Sequence, residues 1–66
     1  MKKRRLMVEV GDIIVINQEI EVQAGIIVEK GTCGKVLDET VPYYFLVKLF
    51  ENSLYWIDGK YLDVIE

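Results

Sequence analysis

The sequence predicts an all-β domain, a small five-stranded barrel closed on itself. Three observations carry this reading. Apolar residues alternate with polar ones through most of the chain, Gly-Asp and Gly-rich breaks leave only strand-length segments, and no stretch shows helical periodicity. In 66 residues, closing a sheet into a barrel is an economical way to hide its edges. The other all-β layout the pattern allows is an open meander that dimerises through its exposed sheet.

The elements follow in order. Val8 and Val10 alternate around Glu9 before Gly11-Asp12 punctuates the chain, and Ile13 to Ile16 reads as a central strand. From Glu19 to Glu29, one face carries Ile20, Val22, Ala24, Ile26 and Val28. The other carries Glu19, Glu21, Gln23, Gly25, Ile27 and Glu29. A strand sorts residues this way and a helix does not. Its length implies a bend or bulge at Gly25. Lys30 to Gly34 is expected to turn on two glycines tolerating positive φ, with a strand returning from Lys35 to Leu37. Asp38 to Pro42 reads as a loop. Tyr43, Phe45, Val47 and Leu49 then form one apolar face, with Tyr44, Leu46, Lys48 and Phe50 on the other. Glu51-Asn52-Ser53 is a turn, Leu54 to Ile57 a strand, Asp58-Gly59 a break and Tyr61 to Ile65 a closing segment.

Composition narrows the function classes. A hydrophobic share of 52% against 29% charged fits a folded globular chain. No apolar run reaches bilayer-spanning length, so no membrane partner is expected. Lys2 to Arg5 lack the long apolar run and small-residue cleavage site of a signal peptide, which makes the cytoplasm the expected compartment. With one cysteine, Cys33, and no histidine, neither an internal disulfide nor a structural zinc site is expected, and Cys33 reads as a packing residue. No metal or other cofactor is called for. The carboxylate pairs Glu19/Glu21 and Asp38/Glu39 read as solvated surface rather than acid–base machinery. The turn Gly31 to Val36 runs into a strand rather than a helix N-terminus, so it reads as structural rather than phosphate-binding. Together these point away from an enzyme.

Charge has a shape. Lys2, Lys3, Arg4 and Arg5 hold half of the basic residues, so residues 1–5 are expected to form a mobile basic arm before a domain spanning 6–66. That domain sets four lysines against eleven carboxylates, a balance of minus seven. Nucleic-acid binders are usually basic over a whole face, and this body is not.

Three segments resemble one family. Trp56, Ile57, Tyr61, Leu62 and Ile65 match the last strand, 3₁₀ turn and closing strand of SH3 domains, with Asp58 and Lys60 where the family has proline and asparagine. Gly11-Asp12-Ile13-Ile14-Val15-Ile16 resembles the Gly-Asp-x-apolar-x-apolar strand of SH3 and bacterial SH3-like barrels. Gly31-Thr32-Cys33-Gly34-Lys35-Val36 resembles the Gly-x-x-Gly-x-Val turn of those barrels and of KOW modules. The resemblance implies an SH3-like barrel with a short 3₁₀ turn near the C-terminus. It does not choose a function, because this fold hosts unrelated ones.

Aromatics on the face away from the core are the strongest functional signal: Tyr44, Phe50 and one of Tyr55 or Trp56, with Tyr61 from the SH3-like tail. They support a module that binds a partner protein, a second copy included. The alternative is a nucleic-acid accessory module, in which Lys2, Lys3, Arg4 and Arg5, with Lys30 and Lys35, track phosphates while aromatics stack on bases. A variant of it has the carboxylates imitate phosphates.

Overall fold

A computed structural model describes residues 7–50 and 53–65 of the chain, and within them the fold is all-β. The seven strands are β1 (Ile13–Ile16), β2 (Ile20–Gln23), β3 (Ile26–Val28), β4 (Cys33–Thr40), β5 (Tyr44–Phe50), β6 (Ser53–Asp58) and β7 (Leu62–Ile65). A 3₁₀ turn, Gly59–Tyr61, joins the last two. The basic residues Lys2 to Arg5 and the turn residues Glu51 and Asn52 lie outside the described residues.

The five-strand count and the closed barrel are both corrected. A five-stranded antiparallel sheet has the order β6-β5-β4-β1-β7, and a separate two-stranded sheet pairs β2 with β3. Strands β6 and β7 stand at opposite edges with no ladder between them, so the main sheet is open.

One of the two additional strands arises where Glu19 to Glu29 was expected to run as one bent strand. Gly25 adopts φ +82°, a conformation that favours glycine, and its N–H donates to Glu21 Oε2 at 2.9 Å. The chain folds back there, Ile20 facing Val28 with a bulge between Glu21 and Gln23. Ala24 and Ile26, assigned to the core by alternation, sit at or beside the tip and are exposed, whereas Val28 is fully buried. The next strand does not pair with β3: β4 instead lies between β1 and β5.

The remaining elements fall close to their expected places. Strand β1 is central, with Ile13 opposite both Lys35 and Ile65. Of the two glycines in the Lys30 to Gly34 turn, only Gly31 takes positive φ. Gly34 already belongs to β4, where a Cβ would meet the Lys48 carbonyl oxygen at 2.7 Å and Leu49 Cδ2 at 2.9 Å. The expected Asp38 to Pro42 loop shrinks, because β4 runs on to Thr40 through a bulge between Val36 and Asp38. Val10 is exposed despite its alternation with buried Val8, since Glu9 and Asp12 close a tight turn around it. The Asp12 N–H donates to the Glu9 carbonyl at 3.1 Å, and Asp12 Oδ2 accepts from the Glu9 N–H at 2.8 Å.

The core lies on the inner face of the main sheet, with Ile14, Ile16, Val36, Phe45, Val47, Ile57 and Leu62 joined by Val8, Val28 and Leu49. Ile14, Ile16, Val28, Val36 and Val47 are fully buried, each contributing roughly 1.5–3 kcal/mol by leaving water. Ile20 and Val22 bring the inner face of the small sheet onto this core.

Candidate functional site

Where the β2–β3 hairpin meets edge strand β6 and the 3₁₀ turn, the surface opens into a groove of about 290 Å³. Ile20, Glu21 and Val22 form one wall; Tyr44, Trp56 and Asp58 form the other; Lys60 and Tyr61 close one side. The β5–β6 register explains part of this convergence. Leu46 faces Trp56 and Tyr44 faces Asp58, so both aromatics leave the outer side of neighbouring strands two register positions apart, as diagonal neighbours. Trp56 is 48% exposed and Tyr44 40% exposed.

Tyr61 reaches the groove because the 3₁₀ turn is fastened at both ends. Asp58 caps it, Oδ1 accepting from the Lys60 N–H at 3.0 Å. Asn17, just past β1, donates from Nδ2 to the Lys60 carbonyl at 3.0 Å and to Asp63 Oδ1 at 3.2 Å, and its N–H donates to the Tyr61 carbonyl at 2.9 Å. The Lys60 ammonium lies 5.2 Å from the Tyr61 ring centroid, a cation–π distance.

A second support sits beneath the turn. The Tyr43 ring packs against Gly59 so closely that no Cβ fits there, and the Gly59 N–H donates to the Tyr43 carbonyl at 2.8 Å. The same ring meets Phe45 edge-on, centroids 5.0 Å apart, and its hydroxyl accepts from the Val8 N–H at 3.1 Å. Tyr43 thereby ties the N-terminal segment, the start of β5 and the 3₁₀ turn together.

Of the five aromatics expected to bind a partner, the groove gathers Tyr44, Trp56 and Tyr61. Tyr55 does not join them: it pairs with Val47 on the inner side and packs half-buried against the core, so of Tyr55 and Trp56 it is Trp56 that points away from the core. Phe50 is exposed but stands six residues from Tyr44 along β5, about 20 Å at strand rise. Lys30 and Lys35 are exposed and line no part of the groove. Cys33, expected to pack, is exposed, because its register opposite Val15 places it on the outer side with Lys35.

Ile20, Val22, Asp58 and Lys60 are groove residues that alternation alone did not single out, and Asn17 was missed as a positioning residue. The signal for Ile20 and Val22 was the long Glu19 to Glu29 pattern, once divided at Gly25. The groove can grip an apolar or aromatic chain between ring faces, with one ammonium and two carboxylates at its rim. Both carboxylates already hold backbone N–H groups, Glu21 that of Gly25 and Asp58 that of Lys60. Among the described residues no helix is long and apolar enough to cross a membrane. Comparison with protein-family models, curated proteins and solved structures finds no match.

Proposed function

We propose that the chain is a non-enzymatic binding module that recognises a partner protein through the groove of Tyr44, Trp56 and Tyr61. One observation carries the reading: three separately positioned aromatics converge on one concave surface whose walls come from both sheets. Aromatics of this kind give large contact area at small entropic cost, and they are enriched where binding energy concentrates. An SH3-like affiliation belongs to the same proposal, in an open form. It is supported by the 3₁₀ turn at Gly59–Tyr61 between the last two strands and by the Gly11–Asp12 turn ahead of central β1.

The test uses Trp56, the only tryptophan, as an intrinsic reporter. Peptides selected from a displayed random library against the folded protein are expected to perturb its fluorescence. They should bind the Tyr61→Ala and Tyr44→Ala variants at least tenfold more weakly, roughly 1.4 kcal/mol per decade. Unchanged affinity in both variants would sink the groove reading. A mixed oligonucleotide titration that moves the Tyr44 and Trp56 amides at moderate salt would put nucleic acid in its place.

A further inference from the structure

Away from the groove, the outer side of the main sheet carries one row that crosses all five strands. Leu54 faces Lys48, Lys48 faces Lys35, Lys35 faces Ile13 and Ile13 faces Ile65. Two lysines thus stand directly opposite each other, an arrangement that opposes pairing unless something neutralises it. Among the described residues neither has a carboxylate within ion-pair distance. Around them the surface is apolar: Phe50, Leu54, Ile13 and Ile65 are 43 to 52% exposed. Ile13, Cys33, Lys35, Lys48 and Phe50 line a shallow depression of about 330 Å³.

We propose that this lysine row is a second docking surface, separate from the groove, which takes an acidic segment of a partner protein. Carboxylates settle over Lys35 and Lys48 while apolar side chains of the same segment cover Phe50 and Ile13. Charge complementarity selects the occupant. The flanking rows on this face carry Asp38, opposite Leu46, and Asp63, opposite Val15. The positive strip is therefore bounded on both sides. A continuous phosphate backbone running beyond it meets carboxylates, whereas a short run of acidic side chains fits within it. A second copy placed about a two-fold axis through the depression sets lysines against lysines.

Amide NMR titration of the labelled protein tests this with a capped peptide alternating glutamate and leucine, its lysine–leucine counterpart, and an oligothymidylate. The glutamate peptide is expected to shift the amides of Ile13, Cys33, Lys35, Lys48 and Phe50. Binding should weaken at least tenfold in Lys35→Gln/Lys48→Gln and persist in Tyr61→Ala. The charge-reversed Lys35→Glu/Lys48→Glu protein should prefer the lysine peptide. Equal response to both peptides, no response to either, tighter binding of the oligothymidylate at these amides, or shifts that follow protein concentration instead of added peptide would each overturn the proposal.

Discussion

Tyr43 makes four kinds of contact with one side chain and its backbone: a T-shaped ring pair with Phe45, a ring packed on Gly59, a hydroxyl accepting from Val8 and a carbonyl accepting from Gly59. These contributions separate by substitution. Removing only the hydroxyl, in Tyr43→Phe, leaves the partly buried Val8 N–H without its partner and should cost about 1 kcal/mol in urea-denaturation stability. Gly59→Ala should cost more, roughly 1–3 kcal/mol, because its methyl group enters space held by the Tyr43 ring and the core cannot absorb it. If Gly59→Ala proved neutral, Tyr43 would not be the post on which the turn rests. Period two assigned Tyr43 to the inner face correctly. It could not show that the ring seats against Gly59, since residues 43 and 59 meet only through the β5–β6 ladder.

At the scale of elements, the 3₁₀ turn depends on polar caps as well as packing. Asp58→Ala removes its N-terminal acceptor, and Asn17→Ala removes the donor that joins the end of β1 to Lys60 and Asp63. Each is expected to lower stability by about 1 kcal/mol. Each should also weaken ligand binding at the groove by more than a distant substitution of equal stability cost, read by Trp56 fluorescence at a temperature where both variants are folded. Most of the strand pattern was legible beforehand. The alternation in Tyr43 to Phe50 returned the correct inner and outer faces, because β5 has strand neighbours on both sides and is buried on one face. The hairpin was not legible, since a bulge and a tight turn inside one alternating run look the same in sequence. Gly25 marked the place and left the choice open. Tyr55 and Trp56 likewise differ in burial only because Val47 and Leu46 fix which of them faces inward.

For the whole molecule, the two sheets differ in how they are held. Strands β1, β4 and β5 each have ladder partners on both sides, whereas β2 and β3 have only each other. Native-state hydrogen exchange should therefore show the amides of β2 and β3 opening at lower free energy than those of β1, β4 and β5. Identical protection across both sheets would mean that side-chain packing through Ile20, Val22 and Val28 binds the hairpin as firmly as a ladder does. The groove wall contributed by Ile20 and Val22 rides on this two-stranded sheet, so lower protection there would let that wall adjust to a bound chain. The pairing of β1 with β7 has a consequence in time. Strands β1 and β4 both precede Leu62–Ile65 in the chain and can pair without it, so until Leu62–Ile65 docks, the second edge of β1 stays uncovered. Throughout that interval the folding chain carries an open apolar strand, and it is then that a chaperone or an unwanted neighbour has its opportunity to pair with it.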